Sequence, residues 1–293
     1  VHGSEHLVET ENGSEQYDRI LIATGARAFA PPVKGLEPED AFLMRTVEDA
    51  LRFKDRLKKN DIKHAVVIGA SMAGIKVVEV LHKYGIETWL LDLASYIFPL
   101  AAYKEVAKEI EKRVEAQGVH LMFGVTIDHM EQENGEKTAV LTDGSRIPAD
   151  IVGLCIGTRA ITETVQGEVE IGRGIVVDDH MRTSVPGIYA AGDCCEGNNL
   201  ESGQNQIIGL WANANHQGET AGINMAGGDM AYKGNILHNI THFMNMDFIG
   251  FGDNRMQGEV LEYGSLSEDL YIRLVLDGKR IVGANILDNY RVS

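Results

Sequence analysis

Residues 64–92, HAVVIGASMAGIKVVEVLHKYGIETWLLD, constrain the fold more than any other stretch of the chain. Residues 65–68 form an apolar, β-branched run, too short for a helix and suited to a strand buried on both faces. Gly69, Ser71 and Gly74 then mark a tight turn. Beyond it, Ile75, Val78 and Leu81 recur at helical spacing and Gly85 stops the helix. A second strand over 88–91 leads to Asp92. Strand, glycine turn, helix, strand and terminal acid is the order of a dinucleotide-binding βαβ unit. Gly69 permits the turn, and Gly74 lets helix and strand pack closely. The first helical turn, with Met72 and Ala73, presents N–H groups and a positive dipole end to a pyrophosphate. Asp92 lies 23 residues after Gly69, where a carboxylate accepts hydrogen bonds from a ribose 2′-hydroxyl. Ser71 stands where the glycine pattern has its middle glycine, and serine is small enough for close backbone approach. No Arg or Lys follows in 93–95 to meet a 2′-phosphate, so NADH is expected over NADPH.

A chain of 293 residues can bury sizeable cores, and two or more domains are expected. Its net charge of −16, from 27 basic and 43 acidic residues, argues against nucleic-acid or anionic-membrane partners. No apolar run approaches the ~20 residues of a membrane span, and the start, VHGSEHLVE, does not read as a signal peptide. The three cysteines, Cys155, Cys194 and Cys195, form no CxxC pair, which fits a reducing, cytoplasmic setting. Cys194 and Cys195 are adjacent, a strained geometry for a disulfide, and read as packing residues.

Strands are expected over 2–10 and 16–22, around the turn ENGSE. A buried strand over 20–23 exits through Thr24-Gly25-Ala26, and a proline pair at Pro31-Pro32 stops further regular structure. An amphipathic helix is expected over 41–59. A second helix carries Val106, Ile110 and Val114 and ends at Gly118. Strands follow over 120–125, 138–141 and 146–147, the last two joined at Asp143-Gly144. Residues 151–156 read as a buried strand ending at Gly157, and 175–177 as a further strand. From Tyr232 onward the pattern is strand-like. His238 and His242 are four apart without an acidic ligand pattern, so no metal site is expected.

Three segments together resemble the flavin-dependent pyridine nucleotide-disulfide oxidoreductases. YDRILIATGARA at 17–28 resembles that family's YDxLxxATGxxP segment. GASMAG at 69–74 is its pyridine nucleotide turn. TSVPGIYAAGD at 183–193 is similar to its second flavin motif. Order and spacing match the family across nearly the whole chain, most closely its branch of NADH oxidases, rubredoxin and ferredoxin reductases and nitrite reductase flavin domains. The resemblance implies an α/β fold with two Rossmann-like nucleotide-binding domains and a small C-terminal α+β interface domain. The FAD-binding domain would cover 1–60 and 183–231, the inserted NAD(H)-binding domain 61–182, and the interface domain 232–293. It implies FAD contacts at Thr24, Gly25, Ala26, Gly192 and Asp193, the last holding a ribityl hydroxyl. Trp211 and Ala212 would begin the helix facing the flavin pyrimidine. Arg45, in LMRTVEDA, either approaches the FAD pyrophosphate or is a solvated surface arginine. Gly157 resembles the start of the GxRP turn near the nicotinamide, with Ala160 in place of proline.

The implied chemistry is hydride transfer from NADH to FAD and on to an acceptor, a small molecule or a small redox protein, with a homodimer formed through the C-terminal domain. Lys76 stands where many members carry Glu, and either steadies reduced anionic flavin or points to solvent. Nothing before Tyr17 resembles the family's first FAD βαβ unit, and sixteen residues cannot hold the ~30 it needs. The chain is therefore expected to be a fragment of such an enzyme. The alternative is a non-catalytic NAD(H)-binding module that does not retain FAD.

Overall fold

A computed structural model describes residues 1–165, 167–268 and 270–288. The chain divides into two compact units, one of Val1–Arg27 and Thr158–Leu237, the other of Ala28–Gly157 and His238–Ser293.

The second unit is built on a parallel sheet. Its strands lie in the order Ala41–Phe42, Ile151–Leu154, His64–Ile68, Glu87–Asp92, His120–Phe123. The three central strands bury apolar residues on both faces because both faces are covered. Helices Met72–Lys83 and Lys104–Glu115 bury Ile75, Val78, Leu81, Val106, Ile110 and Val114 in one core with Ala65, Val67 and Leu90. On the other face Val66, Ile68, Leu91, Val152 and Leu154 pack with Ile127, Met130, Ala139, Leu141 and Ile147. Those last residues belong to an antiparallel sheet of Ile127–Glu133, Glu136–Leu141 and Arg146–Pro148.

The C-terminal part of this unit is a five-stranded antiparallel sheet in the order His238–Phe243, Met246–Gly252, Arg280–Leu287, Leu270–Asp277, Glu259–Ser265. Phe243, Phe248, Tyr271, Val275 and Val282 turn inward and join the helical core. Phe98 meets Phe243 edge-on and stacks on Phe248, both at 5.4 Å between centroids. The first two strands are joined through Met244 and Asn245, both at positive φ as a type I′ hairpin requires.

In the first unit, strands Ile20–Ile22 and Ile188–Ala190 pair in parallel. A hairpin of Leu7–Thr10 and Gly13–Gln16 precedes them. Helix Trp211–Met225 shares a core with Ile22, Ile188, Ala190, Ile175 and the two adjacent cysteines through Ala221.

Several boundaries differ from the sequence expectation. The helix expected over 41–59 is Val47–Leu57. Thr46 and Asp49 form a reciprocal capping box that starts it there, freeing Ala41–Phe42 to join the edge of the parallel sheet. The strand expected over 175–177 is reduced to single bridges, because Ile175 N–H bonds to Cys194 O at 2.9 Å and Ile175 O accepts from Glu196 N at 3.0 Å. Ile127–Glu133 has no strand signal in the sequence, because its two buried residues, Ile127 and Met130, are three apart and five of its seven residues are polar. No helix among the described residues is long and apolar enough to cross a membrane.

Candidate nucleotide sites

The turn after His64–Ile68 is dictated by its two flanking glycines. Gly69 sits at φ +105°, and a Cβ there would lie 2.3 Å from the Cys155 carbonyl oxygen. A Cβ on Gly74 would lie 1.9 Å from the Gly69 oxygen. Both contacts are with backbone, so no side-chain adjustment relieves them. Ser71 caps the helix: its Oγ accepts the Gly74 N–H at 3.3 Å and donates to Cys155 O at 3.1 Å. The serine in place of glycine thus ties the turn to the neighbouring strand as well as leaving room for it. Met72 and Ala73 form the first turn of the helix.

Asp92 ends its strand beside this turn. Its Oδ2 accepts the Ala70 N–H at 2.7 Å and its Oδ1 the Ala94 N–H at 2.8 Å. Each carboxylate oxygen keeps a second lone pair for a ribose hydroxyl. Gly157, at φ +102° and with open space where a Cβ would stand, follows the adjacent strand Ile151–Leu154. Gly69, Ser71, Met72, Ala73, Gly74, Asp92 and Gly157 therefore gather at the carboxyl ends of neighbouring parallel strands, where open α/β sheets bind ligands.

Lys76 is placed differently. Its Nζ donates to Glu79 Oε2 at 2.5 Å and to the His242 carbonyl at 2.7 Å. Glu79 Oε1 accepts from Lys83 Nζ at 3.1 Å and from Met244 N at 3.2 Å. Burial raises the Glu79 carboxyl, but hydrogen bonds from Lys76, Lys83 and the Met244 amide outweigh it and hold the group below its ordinary value. The ammonium is committed inside the second unit, between the nucleotide helix and the hairpin at Met244. His242 itself bonds Asp247 through Nδ1 at 2.6 Å.

In the first unit, the parallel pairing brings two strand exits side by side. Ala191 N–H bonds to Ile22 O at 3.0 Å, so Thr24-Gly25-Ala26 and Gly192-Asp193 leave adjacent strand ends. Thr24 Oγ1 donates to Ile161 O at 2.5 Å, and Gly25 O accepts from Ile161 N at 3.0 Å. Gly25, at φ +69°, has open space where a Cβ would stand. Gly192 turns at φ +83° and its N–H is held by Gln217 Oε1 at 2.9 Å. Trp211, 85% exposed, and Ala212 open a helix whose first amides receive no hydrogen bond from a capping side chain. Arg45 lies in the second unit, just before its capped helix, with its N–H on Asp49 Oδ2 at 3.0 Å.

All three cysteines are free and buried. Burial pushes the Cys155 thiol up to about 12. Cys194 is held down to about 6 by a hydrogen bond from Cys195, against its burial and with help from Gly25 and Thr24, while Cys195 is raised by the same contact. Cys194 Sγ lies 3.4 Å from Ile22 O and 3.3 Å from Ala191 O, bracing the two exits. Glu79 and Gln217 had no sequence signal of their own. Each is polar at a position whose burial only the tertiary fold reveals.

The described family of pyridine nucleotide-disulphide oxidoreductases matches residues 2–218. An NADH oxidase of Streptococcus pyogenes serotype M6 is 27% identical over 314 residues, covering 96% of this chain and 68% of that protein. An NADH oxidase of Methanocaldococcus jannaschii is 30% identical over 213 residues, covering 72% of this chain and 47% of that one. The solved NAD-dependent persulfide reductase from A. fulgidus superposes with a TM-score of 0.88 at 25% identity, covering 98% of this chain and 57% of its own. The chain thus spans roughly half to two thirds of these relatives' lengths. With the family match extending over most of its length and both glycine turns in place, the chain belongs to the pyridine nucleotide-disulphide oxidoreductases.

Proposed function

We propose that this chain is the larger part of an FAD-dependent NADH oxidoreductase that passes electrons to a small-molecule or small redox-protein acceptor. The relatives named NADH oxidase support NADH as donor. A relative named nitric oxide reductase FlRd-NAD(+) reductase and the solved putidaredoxin reductase–putidaredoxin complex support a redox-protein acceptor as one option. The observation that carries the reading is the parallel pairing of Ile20–Ile22 with Ile188–Ala190, which sets both proposed flavin turns at adjacent strand ends.

The residues present fit the two cofactors. Gly69, Ser71, Met72, Ala73 and Gly74 would hold the NADH pyrophosphate on the helix start, and Asp92 the adenosine ribose, which disfavours a 2′-phosphate there. Gly157 leaves room beside that turn. Thr24, Gly25, Ala26, Gly192 and Asp193 would hold FAD, with Trp211 and Ala212 lending helix-start amides. FAD, when bound, accepts hydride and can release electrons singly or in pairs. Protein groups orient and bind; Lys76 is assigned to bracing the nucleotide helix.

In this reading 1–60 with 183–231 serve FAD, 61–182 serve NAD(H), and 232–293 form an interface domain through which two copies pair. The outward face of its sheet supports such pairing, with Ile240, Leu261 and Tyr263 all exposed. Free cysteines fit a cytoplasmic setting. The test is uptake of FAD by the purified chain and its reduction by NADH without oxygen.

A further inference from the structure

Gln217 lies mid-helix in Trp211–Met225 and its side chain is 0% exposed. A buried amide must satisfy both of its ends or cost stability. Here Oε1 accepts the Gly192 N–H at 2.9 Å with the Cys195 sulfur 3.6 Å away, while Nε2 donates to Glu196 O at 3.5 Å. Space for the amide comes from Gly197, where a Cβ would stand 2.5 Å from Nε2. All of these partners belong to residues 192–197, on both sides of Asp193.

The same helix face continues the pattern. Asn213 donates to Ile208 O at 3.0 Å and accepts from the Tyr232 hydroxyl, fixing the helix start. An apolar side chain of similar volume at position 217 would fill the space equally well. What it would not do is hold Gly192, whose φ of +83° leaves the turn without a side chain of its own to secure it.

We propose that Gln217 is a positioning residue for the flavin. It locks the Asp193 turn to the helix that starts at Trp211, so that one carboxylate and one set of helix-start amides are presented in fixed register to a single ligand. This rests on the reading that the first unit holds FAD.

The test compares FAD affinity and flavin midpoint potential in the full chain, Gln217→Leu and Gln217→Glu, over a range of pH. Gln217→Leu weakens FAD binding about tenfold or more, the weight of a buried hydrogen bond left unmade. Gln217→Glu keeps the shape. Protonated, its carboxyl both accepts from Gly192 and donates to Glu196 O, so affinity approaches that of the unsubstituted chain. Ionised, it can no longer donate, so affinity falls as pH rises. A residue that merely fills space would lower the thermal midpoint without giving that pH dependence. If Gln217→Leu fails to fold, Gln217→Glu carries the comparison alone. Tight FAD binding by the unsubstituted chain, with both variants matching it in affinity and potential at every pH, overturns the inference. An unsubstituted chain that takes up no FAD overturns the underlying reading, and the inference with it.

Discussion

The Lys76 ammonium lies 2.7 Å from the carbonyl oxygen of His242, joining the helix that begins at the nucleotide turn to a hairpin far away in the sequence. The same ammonium neutralises Glu79, whose other oxygen holds the Met244 amide. The arrangement is a strut. Lys76→Met should lower stability by about 1 kcal/mol, modest because the lysine is half exposed and Lys83 still pairs Glu79. Lys76→Glu should cost more, about 2–3 kcal/mol, since it sets two carboxylates and a carbonyl together. Denaturant midpoints of the two variants measure this, and flavin reduction by saturating NADH should change little in Lys76→Met.

Acid sensitivity should trace to Glu79. Its folded value lies below the ordinary 4.5, so the folded state binds its proton less readily than the unfolded chain does. The stabilisation it gives is therefore complete above the ordinary carboxylate value and is lost as pH falls through the lower folded value. Glu79→Gln should be less stable at neutral pH and show a flatter decline on acidification. Urea midpoints recorded from neutrality down to below the ordinary carboxylate value of 4.5 check both points. Parallel curves for the two proteins would show that Glu79 is not the group responsible.

Gly69→Ala and Gly74→Ala should each abolish NADH binding and destabilise the fold by about 2 kcal/mol or more, because the new methyl meets backbone oxygen at 2.3 Å and 1.9 Å. Gly25→Ala should be milder, about 1 kcal/mol, since the cost is positive φ alone with open space around it. Thermal melts and NADH titration by fluorescence separate the three.

Asp92→Ala removes the proposed acceptor for the ribose and also leaves the Ala70 and Ala94 amides without their partner. NADH affinity should fall about tenfold or more, and the ratio of NADH to NADPH affinity should narrow. Direct titration with each coenzyme reads the ratio. An unchanged preference would mean that selectivity is set elsewhere.

How far the sequence could be read depended on the range of the interaction. The βαβ unit was legible because its signals are local: two glycines whose φ and packing admit no side chain, an apolar run and an acid at strand length. The meaning of Ser71 as a cap was missed although it is equally local, because the glycine pattern drew attention to its size. Family resemblance located Thr24 and Asp193, but the parallel pairing that brings their turns together joins residues more than 160 apart in the chain. The partners of Lys76 were not legible at all. His242 O and Met244 N are backbone atoms of a distant hairpin, and Glu79 reads as a surface residue of an amphipathic helix until the sheet covers it. Likewise Gln217 follows an exposed tryptophan in a polar helix and gives no hint that its amide is fully enclosed.

The most direct measurement is the visible absorbance of the purified chain after incubation with FAD and removal of the excess, followed by anaerobic addition of NADH. The account predicts a retained flavin spectrum that bleaches on addition of NADH, and bleaches less readily with NADPH. A chain that binds NADH yet remains colourless, or a bound flavin that NADH leaves oxidised, would contradict it.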